Sequence, residues 1–290
     1  MSYSYYLLDV FTDKLFSGNQ LAVFPDAADI NPDSFQQIAK EFNLSETVFV
    51  IRSTTDDHHT MRIFTPGREL PTAGHPTIGT AFLLAGESGK KLITVHQKVG
   101  LIEVEIKYEN EEPDLITMKQ PLPVFGRFFE DHDAIASMLS LEKSDLDDYP
   151  IQEVSCGNNI LFIPIRQTDT LKNIKVRTDL LEDLSRKIDT TQLYCYSIHG
   201  VIGGDIQGRM FAPLLGIYED PATGSANGPL ACYLHHHGIL KMPVVSLQGY
   251  EMGRPSKLFL DLLINEDGTI KEVKVAGKCK LVGKGELFLG

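Results

Sequence analysis

Apolar and polar residues alternate from Tyr3 to Phe11, the period of a half-buried strand. A turn through Phe16-Ser17-Gly18-Asn19 leads into a second apolar run that ends at Pro25. The period then changes. Asn31-Pro32-Asp33 reads as a helix start, and Phe35, Ile38, Ala39 and Phe42 follow at helical spacing, so 31–42 is expected to be a capped amphipathic helix. Strands are expected from 46, then at 60–65, 91–97, 100–108, 114–119, 151–155, 160–165, 193–199 and 206–212. More follow at 257–264, 270–277 and 279–283, with a last one near 285–289. Helices are expected over 127–142 and 179–188. Two more apolar helical runs begin at Gly74 and Gly224.

The stretches before those two glycines repeat each other. The first reads Arg62-Ile63-Phe64-Thr65-Pro66, a loop, and then Gly74-His75-Pro76-Thr77. The second reads Arg209-Met210-Phe211-Ala212-Pro213, a longer loop with Glu219-Asp220-Pro221, and then Gly224-Ser225. The arginines lie 147 positions apart and the glycines 150. A repeat of half the chain length implies two similar domains, and 1–122 and 123–290 are expected, with the strand near 279–289 returning to the first. Many strands and one long apolar helix per half imply α+β domains, each a curved sheet or barrel wrapped around its helix.

Such a turn leaves the first amides of a helix without intrahelical partners, at the positive end of the helix dipole. An anion such as a carboxylate fits there. Two equivalent helix starts could face one cleft, with Asp220 beside one of them. The alternatives are local: His75 and Ser225 as plain N-caps, Asp220 as a turn-former and Asn19 as a turn residue. Glu46 stands where a strand of Thr, Val and Phe begins. Partial burial would suit it to general acid/base work, while spacing alone favours a solvated loop glutamate. Arg62 and Arg209 are expected to brace their loops. His235-His236-His237 follows an apolar run and precedes Gly238, the signature of a helix C-terminus more than of a metal site.

The remaining features narrow the class. The net charge of −12 argues against nucleic acid as a partner and leaves a small anionic metabolite open. No apolar run is long enough to span a bilayer, so no membrane partner is expected. Cys156, Cys195, Cys232 and Cys279 are scattered without a CxxC, which fits free thiols and a cytoplasmic address. No HExxH, Walker or dinucleotide fingerprint occurs.

Together the motifs resemble the PhzF family, whose fold is shared with diaminopimelate epimerase. They run in order along nearly the whole chain: 16–23, Leu44-Ser45-Glu46-Thr47, 62–66, Gly74-His75-Pro76-Thr77, 219–226, Gln248-Gly249 and Arg254-Pro255-Ser256. Gln20 stands where that family often has proline. The resemblance implies a cofactor-free isomerase and a homodimer. It implies catalytic roles for Glu46, His75 and Asp220, with Glu46 moving a proton at carbon. It implies substrate-binding roles for Asn19, Gly74, Gly224 and Ser225. The epimerase cousins place two cysteines at the paired helix starts; His75 and Ser225 stand there in this chain, so a two-thiol racemase is not expected.

Overall fold

The computed structural model describes residues 1–53 and 58–289. The chain divides into two compact units, Met1–Lys119 with Ala276–Gly290, and Gln120–Val275.

In the first unit, Ser2–Val10 pairs antiparallel with both Cys279–Phe288 and Asn19–Phe24. Asn19–Phe24 lies parallel to Glu46–Ile51, which pairs antiparallel with His59–Phe64. The helix Gly74–Ser88 follows, and Leu92–Gln97 returns parallel to His59–Phe64 before an antiparallel run through Gly100–Glu109 and Glu112–Gln120. The second unit repeats this order. Gln152–Ser155, Asn159–Pro164, Leu193–Ser197 and Ile206–Ala212 pair antiparallel, parallel and antiparallel in turn. The helix Gly224–His236 comes next, and Val244–Gln248 returns parallel to Ile206–Ala212 and pairs with Ser256–Ile264. The fold class is mixed α/β, with a curved sheet around one long helix in each unit.

Each long helix is apolar nearly all round and is enclosed by its own strands. The approach in the first unit is close enough to need glycine: a Cβ on Gly79 would lie 2.6 Å from Leu21 Cδ2 and 2.8 Å from Val10 Cγ2. Beside this core an aromatic layer holds the helix Phe35–Phe42, with Phe35 stacked on Phe49 at 4.0 Å. In the second unit the helices His132–Leu139 and Thr178–Leu184 bury Ile135, Leu139 and Leu181 against Leu161, Ile163 and Phe211.

The repeated arginines do the same job in both units. Arg62 grips Glu69 with two hydrogen bonds, of 2.8 and 2.9 Å, and lies over the Phe64 ring. Arg209 grips Glu219 at 2.8 and 2.7 Å and lies over Phe211. Arginine and phenylalanine two positions apart on one strand face the same side, so the motif builds a fork-to-fork ion pair stacked on a ring.

Local patterns misled in a few places. The helix expected over 127–142 spans only His132–Leu139; Val124–Phe128 is a strand instead, paired with Gln152–Ser155. Asp131 fixes the helix start by accepting the Ala134 N–H at 3.0 Å. The helix over 31–42 opens with a 3-10 turn at Pro32–Ser34 and closes at Asn43 in the left-handed region. The strand Ile217–Asp220 lies inside the expected loop, and the strand Val244–Gln248 lies where no element was expected.

Candidate active site

The first unit gathers Asn19, Glu46, Gly74 and His75. Asn19 and Glu46 each open a strand, Asn19–Phe24 and Glu46–Ile51, and these strands are parallel with Leu21 opposite Glu46. Side chains alternate along a strand, so Asn19 and Leu21 share a face, and the register sets Glu46 beside them. That face looks onto the helix Gly74–Ser88, since Leu21 packs at Gly79. His75, in the first turn of the helix, therefore meets both polar residues.

The Glu46 side chain is buried, with 8% of the residue exposed, so it is no solvated loop glutamate. Its Oε2 lies 3.1 Å from His75 Nε2, within ion-pair reach but off the line of a hydrogen bond. On the other edge of the ring, Asn19 Nδ2 lies 3.2 Å from His75 Nδ1. In the tautomer that lets Nδ1 accept from this amide, the imidazole proton sits on Nε2, on the side of the carboxyl. Burial lowers the His75 pKa to about 3, against the opposing pull of the Gln20 main-chain carbonyl. At neutral pH the ring is uncharged.

The second unit gathers Asp220, Gly224 and Ser225. Asp220 ends the strand Ile217–Asp220, and the other two open the helix Gly224–His236. The Thr223 hydroxyl donates to Asp220 Oδ2. Behind them stands Gln248, fully buried. It donates to the Asp220 carbonyl at 2.7 Å and to Thr223 Oγ1 at 3.0 Å, and accepts the Thr223 N–H at 3.1 Å. Asn227 bridges Gln248 and the Thr223 carbonyl. In neither long helix does the N-cap side chain, of Ala73 or Thr223, take a first-turn amide.

Sequence reasoning assigned no site role to Gln97, Thr77, Thr223, Asn227 or Gln248, although Thr77, Thr223 and Gln248 lie in the quoted motifs. A signal existed: Gln97 and Gln248 lie 151 positions apart, in step with the repeat. The histidine triplet is absorbed by packing. His236 stacks on Phe125 at 4.2 Å, and His237 Nε2 donates to Gln152 Oε1 at 2.7 Å. All four cysteines are free and buried. Among the described residues no helix is long and apolar enough to cross a membrane.

The family described as "PhzC-PhzF: Phenazine biosynthesis-like protein" matches residues 8–285. A trans-2,3-dihydro-3-hydroxyanthranilate isomerase of Pseudomonas fluorescens is 32% identical, over 99% of this chain and 100% of its own. The crystal structure of a Bacillus anthracis phenazine biosynthesis protein of the PhzF family superposes with a TM-score of 0.90 at 26% identity, covering 100% of both chains. A hydroxyproline epimerase of Agrobacterium vitis shares the fold at a TM-score of 0.64 and 9% identity, over 99% of this chain and 91% of its own.

Proposed function

Because the chain belongs to the phenazine biosynthesis-like family and is an isomerase, we propose that it moves a proton at carbon of a small carboxylate-bearing metabolite, with Glu46 as the general acid/base. One observation carries the reading: a buried carboxyl whose Oε2 stands 3.1 Å from a neutral imidazole. A carboxylate sheltered from bulk water can take a proton from carbon and hold it for return. Returned to a second carbon, that proton completes a double-bond shift. Returned to the same carbon on its other face, it gives an epimer.

His75 stays uncharged in this scheme and serves as a hydrogen-bond donor through Nε2, not as an acid. Asn19 acts through His75 by fixing its tautomer. Negative charge left on the substrate is met by the helix-start amides of Gly74 and His75, where preorganised donors lower such barriers most. Asp220, Gly224 and Ser225 give the second unit its own carboxyl, amides and hydroxyl, suited to proton steering and polar binding there.

The compound named for the Pseudomonas fluorescens relative carries the carboxylate that this scheme needs, so it is the first to try. Incubation of wild-type protein in heavy water with trans-2,3-dihydro-3-hydroxyanthranilate and a panel of cyclic amino acids tests the reading. Deuterium at carbon in a rearranged product supports the proton shift. Inverted configuration in an otherwise unchanged compound supports epimerisation. Tight binding without exchange across the panel points to a binding protein on the same scaffold.

A further inference from the structure

Gln97 and Gln248 occupy the same place in the two units. Each ends the strand that follows the long helix, Leu92–Gln97 and Val244–Gln248, and each is almost wholly buried. Each bonds the fourth residue of its helix: Gln97 Nε2 donates to Thr77 Oγ1 at 2.6 Å, and Gln248 Oε1 accepts from Asn227 Nδ2 at 3.2 Å. That fourth residue in turn donates to the carbonyl before the helix, Thr77 to Ala73 at 2.6 Å and Asn227 to Thr223 at 3.0 Å. So far the two latches match. They differ in what lies beyond. Position 73 is alanine and offers no hydroxyl, whereas Thr223 does, and it donates to Asp220.

The Gln248 amide has only one orientation that satisfies its neighbours. The Thr223 N–H can only donate and the Asp220 carbonyl can only accept, so Oε1 must face the first and Nε2 the second. Nε2 also reaches Thr223 Oγ1 at 3.0 Å and fills one of its lone pairs. The single hydroxyl proton is thereby left for Asp220 Oδ2. We propose that Gln248 is a positioning residue for Asp220: through the Thr223 hydroxyl it directs a hydrogen bond onto the carboxylate, a task that its counterpart Gln97 does not share.

The inference rests on the reading of Asp220 as a site residue for its consequence, but not for its test. A titratable group that senses Asp220 is the Tyr194 hydroxyl, on Leu193–Ser197. Burial pushes it up to about 12, so it stays neutral through the range needed. Glu219, the next residue along, is held by Arg209.

The experiment is a carbon-13 NMR titration of the Asp220 carboxyl in the full chain. The variants are Gln248→Met, Thr223→Val, the double variant, Thr223→Ser and Gln97→Met. A hydrogen bond to the ionised form holds a carboxyl pKa down, so its loss raises the midpoint. We expect a rise of about one pH unit, a tenfold change in acid constant, in Gln248→Met and in Thr223→Val. The double variant should rise no further than Thr223→Val alone, because one acts through the other. Thr223→Ser should restore the wild-type midpoint, and Gln97→Met should leave it unmoved. An unmoved midpoint in Thr223→Val, or additive shifts in the double variant, would overturn the proposal. Thr223 is partly exposed, so its variants still decide the matter if Gln248→Met does not fold. Should Asp220→Asn retain full isomerase activity, the functional reading of Asp220 falls while the hydroxyl relay can still stand.

Discussion

Glu46 Oε2 and His75 Nε2 stand 3.1 Å apart, brought together by a strand start and a helix start 29 residues distant in sequence. The two buried groups divide the work: burial holds the imidazole neutral, which leaves the carboxyl to carry the proton in the proposed scheme. That division of labour has consequences for stability and for rate.

The unfolded chain protonates His75 near pH 6.5, and the fold only near pH 3. Acid therefore favours the unfolded state. The contribution of neutral His75 is fully present above about pH 6.5 and declines as pH falls towards 3, with a limiting slope of about 1.4 kcal/mol per pH unit. Urea unfolding of wild type and His75→Gln between pH 7 and 4 checks this. The stability of wild type should drop more steeply than that of the variant; parallel curves would contradict the buried neutral ring.

The two arginine clamps should differ in strength. Arg209 and Glu219 are 7% and 10% exposed at the side chain, Arg62 and Glu69 29% and 15%. Removing one partner of a buried pair strands the other charge and costs about 3–5 kcal/mol, while a partly solvated pair is worth closer to 1 kcal/mol. Arg209→Met should thus destabilise several times more than Arg62→Met in urea titrations. Equal losses would mean that burial does not set the strength of the clamp.

Glycine substitutions separate packing from backbone freedom. A Cβ on Gly208 would lie 2.4 Å from the buried Tyr194 ring, so Gly208→Ala should cost about 1–3 kcal/mol. Gly86, inside the helix Gly74–Ser88, has nothing within 4 Å of an added Cβ. Gly86→Ala should gain about 0.5–1 kcal/mol through helix propensity. Thermal melts of the two variants should move in opposite directions.

The architecture was legible because its signals are local and doubled. Arg62 and Arg209, and Gly74 and Gly224, announce the two halves by spacing, and the bracing role expected of the arginines is what the structure shows. The strand Val124–Phe128 was hidden because nothing near it in sequence requires a strand; its partners Gln152, Val154 and Ser155 lie more than 20 residues on. Gln97 and Gln248 were hidden for another reason. Gln97 stood only as the end of an expected strand and Gln248 only as part of a motif, and burial reveals that each amide ties a helix start in place. Glu46 was ambiguous from spacing, and the depth of its side chain, which pattern cannot give, turns it from a loop residue into a candidate base.

The most direct measurement is the rate at which solvent deuterium enters substrate carbon, compared between wild type and Glu46→Gln. Glutamine keeps the shape of the side chain and its ability to hydrogen-bond, but cannot carry the proton. General acid/base groups typically contribute 10²–10⁴-fold, so exchange should fall by roughly that factor while substrate affinity, read by calorimetry, changes little. Exchange by Glu46→Gln at the wild-type rate would show that another group moves the proton.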